Sequence, residues 1–161
     1  MREIAEELDS SAGNLYYYFK GKDEILYFCQ DRTLDLMLEA VKAAHASAEP
    51  KGVQLRSVVR AHIQAMLGEF EGATAHLEVD SLPDDLRRAI VAKRDAYEQA
   101  IRKLIADGVK EKEFSACDPA LVTRAILGAA NWTARWFRPD GPKTVAEVAD
   151  GLADYLVRGL A

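Results

Sequence analysis

The sequence predicts an all-α protein, and three observations carry that expectation. Apolar residues recur at the i, i+3, i+4 spacing of a helix along nearly the whole chain. No stretch alternates apolar and polar residues over a strand's length, and the breaks between periodic segments fall on Pro, Gly, Asp and Ser. The 161 residues, 49% hydrophobic and 29% charged, suit one compact domain or slightly more and exclude disordered, collagen-like and disulfide-framework classes. A chain of this length buries roughly 70% of its unfolded surface, enough for a core with a cavity inside it.

The elements follow in order. Residues 2–9 form a short helix with Ile4, Ala5 and Leu8 on one face, Asp9-Ser10-Ser11 break it, and 12–18 form a second. After Phe19-Lys20-Gly21-Lys22, an amphipathic helix runs from about 23 to 47 on Ile25, Leu26, Cys29, Leu34, Met37, Leu38 and Val41, until Glu49-Pro50-Lys51-Gly52 stops it. Leu55, Val58, Val59, Ile63, Met66, Leu67 and Phe70 set the next helix over 53–70, and a shorter element occupies 73–80. Ser81-Leu82-Pro83-Asp84 joins an N-cap candidate to a first-turn proline and an acid, opening a long helix to about 112. Its inward face is Leu86, Ile90, Tyr97, Ile101, Leu104, Ile105 and Val109. Asp118-Pro119 supplies an N-cap and first-turn proline for a helix carrying Leu121, Val122, Ile126, Ala129, Trp132 and Trp136, which Pro139-Asp140-Gly141-Pro142 ends. Thr144 and Glu147 stand at capping-box spacing, so the last helix begins there and runs to about 159.

Composition narrows the function. Twenty-one Lys and Arg against 26 Asp and Glu give a net charge of −5, which argues against non-specific coating of nucleic acid and confines any DNA contact to a local surface. Cys29 and Cys117 lie far apart without C-x-x-C spacing, and His45, His62 and His76 are dispersed, so the expectation is reduced thiols, no metal and no cofactor. No nucleophile elbow, zinc-protease motif or phosphate-binding glycine loop occurs, so an enzyme is not expected. No apolar run approaches the ~18 residues of a membrane span. Arg2 and Glu3 follow Met1 where a signal peptide would be apolar, and the expected compartment is the cytoplasm.

Residues 2–26, REIAEELDSSAGNLYYYFKGKDEIL, carry the functional signal. Two short helices joined by a three-residue turn have the dimensions of a helix-turn-helix, whose first helix braces a second that enters the major groove. Ile4, Ala5, Leu8, Leu15 and Phe19 are the bracing contacts, and Ser11 can cap the second helix. The spacing leaves Asn14, Tyr16, Tyr17 and Tyr18 partly outward, with Lys22 at the next helix start, a surface able to grip phosphates.

From Ile4 to Leu26 this run resembles, position by position, the DNA-binding signature of the tetracycline-repressor (TetR) family of bacterial transcriptional regulators. The resemblance implies DNA contacts from Ser11, Gly13, Asn14, Tyr17, Tyr18 and Lys22, with Leu15, Tyr16 and Phe19 packing inward. Two departures stand out. Asp9 and Ser10 occupy turn positions where the family carries Gly and an aliphatic residue, and the chain starts inside the family's second helix. The expected domains are therefore a partial helix-turn-helix head over 1–22, its first helix absent through truncation or a misassigned start, and an effector-binding and dimerisation bundle over 23–161. Within 1–30, Arg2, Lys20 and Lys22 face six acidic residues, a poor supply of cations for a DNA-binding head.

In the bundle, apolar Met66, Phe70 and Ile101 alternate with polar His62, Tyr97 and Asn131 on the helices 53–70, 85–112 and 119–137, marking a candidate effector pocket. Small residues and aromatics share the last two helices. Ala129, Trp132, Trp136, Leu152, Tyr155 and Leu156 are candidates for a four-helix interface with a second copy, the dimerisation mode the family implies. The stretch from Gly128 to Gly141 is similar to a branch of the family tied to lipid, steroid-ring or aromatic catabolism, which implies an acyl-CoA effector whose phosphates would meet Arg60, Arg94 or Arg124. The expected function is a homodimeric repressor released from operator DNA by a small apolar effector. The alternative is a dimeric small-molecule-binding helical protein whose incomplete head no longer binds DNA.

Overall fold

A computed structural model describes residues 12–68 and 79–160. Within them the chain forms α1 (Ala12–Tyr18), α2 (Lys22–Ala46), α3 (Lys51–Leu67), a 3-10 turn (Val79–Ser81), α4 (Asp84–Lys110), α5 (Pro119–Trp136) and α6 (Val145–Arg158), with no strand among the described residues. The all-α expectation holds. The expected helix at 2–9, Ser11, Phe70 and most of the expected element at 73–80 lie outside the described residues.

Helix α3 is the axis of the bundle. It packs against α2, α4, α5 and α6, and α6 lies chiefly on α3. Its buried residues Leu55, Val58, Val59, Ile63 and Met66 recur at helical spacing around more than one face, because neighbours enclose it from several sides. They meet Leu34, Met37 and Val41 of α2, Ile90, Ile101, Leu104 and Ile105 of α4, Ile126 and Ala130 of α5, and Val148, Ala149 and Ala153 of α6 in one core. Each fully buried side chain of this size contributes about 1.5–3 kcal/mol of transfer free energy.

Two helix starts match the sequence signals. Asp118 accepts from the backbone N–H of Ala120 at 2.8 Å. At α6, Thr144 Oγ1 accepts from the Glu147 N–H at 3.2 Å, while Glu147 Oε2 accepts from the Thr144 N–H at 2.8 Å, satisfying two free donors reciprocally.

Two starts differ. Helix α4 is capped by Pro83 without a side-chain bond, and Ser81, the expected N-cap, sits in the preceding 3-10 turn; Asp84 and Asp85 complement the helix dipole instead. Helix α3 begins at Lys51, two residues before the expected start, because a distant acid completes its first turn: Glu113 Oε2 accepts from the Lys51 N–H at 2.6 Å.

Glu113 is placed by the turn that ends α4. Lys112 adopts φ 62°, and the backbone N–H groups of Glu113 and Phe114 both donate to Gly108 O, at 2.9 and 3.1 Å. The Phe114 ring then folds over Gly108 so closely that a Cβ there would lie 2.3 Å from it. The Ser115 N–H donates to Leu160 O at 2.7 Å, joining this turn to the end of α6.

Charged residues fasten the helices at their edges. Arg56 pairs with Asp154, and Arg60 lies 2.7 Å from Asp150, linking α3 to α6. Lys93 of α4 pairs with both Asp31 and Asp35 of α2.

Candidate effector cavity and nucleic-acid face

The head is α1 and the first turn of α2. Leu15 is its buried anchor, while Gly13, Asn14, Tyr17, Tyr18 and Lys22 are exposed. Tyr17 and Tyr18 meet edge to face at 4.9 Å between ring centres, so they present one aromatic surface rather than two separate rings. Tyr16 corrects one expectation: it is 56% exposed, as the spacing predicts, and not packed inward as the resemblance implies. In a helix of seven residues the inward face is taken by Leu15, and Tyr16 points roughly 100° away from it. Phe19 is half-buried, its ring 5.6 Å from that of Phe28 on α2.

Three of the expected pocket residues come together in the bundle. His62 of α3 is buried, its Nδ1 3.2 Å from the Tyr97 hydroxyl of α4 and its Nε2 3.0 Å from Asn131 Oδ1 of α5. Its ring also stacks on Tyr97, 5.7 Å between centres and 27° between planes. The three side chains line a cavity of about 170 Å³ with Leu34 and Met37 of α2, Arg94, Asp95 and Glu98 of α4 and Leu127 of α5. Met66 and Ile101 lie instead in the apolar core, fully buried, and are not among the residues lining this cavity.

Burial sets the charge state. It pulls the His62 imidazole down to about 4, only partly opposed by the Asn131 hydrogen bond, so the ring is neutral at pH 7. The same burial pushes the Tyr97 phenol well above its ordinary range, keeping its proton. With Asn131 Oδ1 facing Nε2, the proton sits on Nε2, and Tyr97 donates its O–H to Nδ1.

Sequence reasoning misses the walls contributed by α2 and the outer edge of α4. Leu34 and Met37 read as ordinary core positions, and only the crossing of α2 over α3 brings them to His62. Of the three arginines expected to meet phosphate, Arg60 is held by Asp150, and Arg124 lies 3.8 Å from Glu98 with its side chain mostly exposed. Arg94 alone lines the cavity; burial lowers its pKa and Asp80 partly restores it.

A second feature lies on the exposed faces of α5 and α6. Leu121, Ala125, Gly128, Trp132 and Trp136 are all exposed along one stripe of α5, with Leu121 at 66% and Trp132 at 64%. On α6, Tyr155 is 77% exposed beside half-buried Leu152 and Leu156. Ala129 is half-buried. Large exposed apolar side chains in a continuous stripe mark an interaction surface.

An exposed head helix, a bundle with a half-open polar cavity and an exposed aromatic stripe fit the class of regulators that couple a DNA-binding head to a ligand-binding bundle. Comparison with known proteins identifies which kind. A family model described as tetracyclin repressor-like, C-terminal domain, matches residues 49–160, and one described as bacterial regulatory proteins, tetR family, matches residues 1–27. The chain is 35% identical to a TetR family transcriptional regulator, PfmR, of Thermus thermophilus, covering 99% of this chain and 88% of that one at a TM-score of 0.82. It is 24% identical to the HTH-type transcriptional repressor KstR2 of Rhodococcus jostii (strain RHA1), spanning 100% of this chain and 80% of that protein. Its fold matches that of AibR, solved in complex with isovaleryl coenzyme A and operator DNA, at a TM-score of 0.77 and 22% identity over 99% of this chain and 85% of that one. The chain belongs to the TetR family of bacterial regulatory proteins.

No helix among the described residues is long and apolar enough to cross a membrane. Among the same residues, no group of three or more His, Cys, Asp and Glu is placed to hold a metal ion.

Proposed function

We propose that the protein is a cytoplasmic, homodimeric repressor that holds operator DNA through Ser11, Gly13, Asn14, Tyr17, Tyr18 and Lys22 and releases it when an acyl-CoA enters the His62–Tyr97–Asn131 cavity. One observation carries this reading: α2 walls the cavity with Leu34 and Met37 and begins at Lys22 of the head, so a ligand and DNA contact the same helix. An effector that favours one placement of α2 over another shifts the equilibrium between DNA-bound and free forms. The stripes on α5 and α6 would join across a two-fold axis, spacing two heads for successive major grooves. The AibR complex, a structural neighbour holding both an acyl-CoA and operator DNA, supports the pairing of ligand and partner.

The test is fluorescence anisotropy on promoter DNA from beside the protein's own reading frame, titrated with salt and then with acyl-CoA esters. Binding should weaken steeply with salt and collapse on adding the effector. The second reading, a dimeric ligand-binding protein that does not grip DNA, is favoured by the three cations against six anions in residues 1–30. Ligand binding without any salt-sensitive DNA binding would establish it.

A further inference from the structure

We propose that the cavity takes the neutral carbonyl end of a short acyl group, held by the side-chain amide of Asn131, and rejects the corresponding carboxylate. This rests on the effector reading above and assigns the chemistry of the buried end of the ligand.

The hydrogen-bond chain runs in one direction. Tyr97 gives its single proton to His62 Nδ1, His62 gives its Nε2 proton to Asn131 Oδ1, and the chain ends with the NH2 group of Asn131 as the donor left for a ligand. That group is uncharged, and so is the buried imidazole behind it. A carbonyl oxygen needs one such donor and satisfies it.

A carboxylate meets a different balance. The cavity wall carries Asp95 and Glu98 against the single guanidinium of Arg94, which also faces Asp80. Glu98 in turn is engaged by Arg102 at 2.6 Å. An ionised acid entering here would lose its water beside a neutral amide and a neutral imidazole, with the Asp95 carboxylate at the exposed edge and the Arg94 guanidinium already shared with Asp80, so its charge is poorly compensated. A thioester, amide or ketone carries no such penalty.

Size adds a second constraint. The cavity measures about 170 Å³, with Leu34, Met37 and Leu127 as its apolar wall. A cavity of about 150 Å³ lined by aliphatic side chains accommodates benzene. The acyl group that fits is therefore short, branched or cyclic, with about six carbons, while the remainder of the ligand stays outside.

The experiment is calorimetric titration of the full chain at pH 8 with isovaleryl-CoA, CoA, palmitoyl-CoA, isovalerate and 4-methyl-2-pentanone, the last sharing the isovaleryl skeleton but carrying a neutral ketone. Binding of isovaleryl-CoA at least tenfold tighter than palmitoyl-CoA, and of the ketone at least tenfold tighter than isovalerate, is expected. Asn131→Asp keeps an acceptor for His62 but removes the outward donor, and should cut affinity for isovaleryl-CoA and the ketone at least thirtyfold; a circular dichroism melt checks that it folds. Binding of the ketone with this Asn131 dependence, without any binding of isovaleryl-CoA, would retain the carbonyl site and remove the acyl-CoA reading. Isovalerate binding as well as the ketone, palmitoyl-CoA binding best, an indifferent Asn131→Asp variant, or no binding by any probe would overturn the inference.

Discussion

The ammonium of Lys93 lies 2.7 Å from the carboxylate of Asp35, joining α4 to α2, and the same nitrogen is 2.5 Å from Asp31 one turn earlier. Burial opposes the lysine charge, yet the bonds to Asp31 and Asp35 outweigh it and hold the Lys93 pKa above its ordinary value. The group therefore stabilises the fold below the ordinary lysine pKa, and that contribution disappears as pH rises through the raised one. Lys93→Met should destabilise by about 1–2 kcal/mol, since it leaves two partly buried carboxylates facing each other. Urea unfolding should show the loss shrinking at high salt, where the repulsion is screened.

His62 makes stability acid-sensitive. Its pKa near 4 lies below the ordinary 6.5, so the unfolded chain binds the extra proton first and stability falls as pH drops through that window. The full effect is about 3 kcal/mol. Unfolding curves for the wild type and His62→Gln, compared from neutral pH downward, should differ in slope within that window and run parallel above it.

Trp132 is the more exposed of the two tryptophans of the α5 stripe. Trp132→Glu should convert a dimer to a monomer in sedimentation velocity, with little change in the helical signal, because the side chain is 64% exposed within one chain. An unchanged sedimentation coefficient would remove α5 from the interface.

Gly108→Ala tests the Phe114 turn. A methyl group 2.3 Å from the ring must displace it, at a cost of about 1–3 kcal/mol in thermal or urea unfolding. Phe114→Ala is destabilising alone, yet in its presence the Gly108 substitution should cost little, because the obstructing ring has gone.

Local signals were the most legible part of the sequence. Asp118 and Thr144 cap α5 and α6 as their spacing predicts, because an N-cap involves only residues within one turn. The start of α3 was not legible, since its partner Glu113 is 62 residues away. His62, Tyr97 and Asn131 could be singled out as polar residues on apolar faces, and their convergence follows from three helices facing one another. Met66 and Ile101 carry the same periodicity but fill the core, and no local pattern separates a core position from a cavity wall. Tyr16 makes the converse point, as helical geometry alone placed it correctly outward.

The 25-residue α2 can also be considered as a lever. Leu34, on the cavity wall, and Lys22, at the head, are separated by about 18 Å along the axis at a rise of ~1.5 Å per residue. Pivoting near Leu34, a tilt of about 5° carries Lys22 through roughly 1.6 Å, half the length of a hydrogen bond, over that axial distance. Lys93 grips the rod on the turns flanking Leu34, at Asp31 and Asp35. On the proposed reading, a small ligand pressing on Met37, one turn beyond that pivot, would be felt as a larger displacement at Lys22.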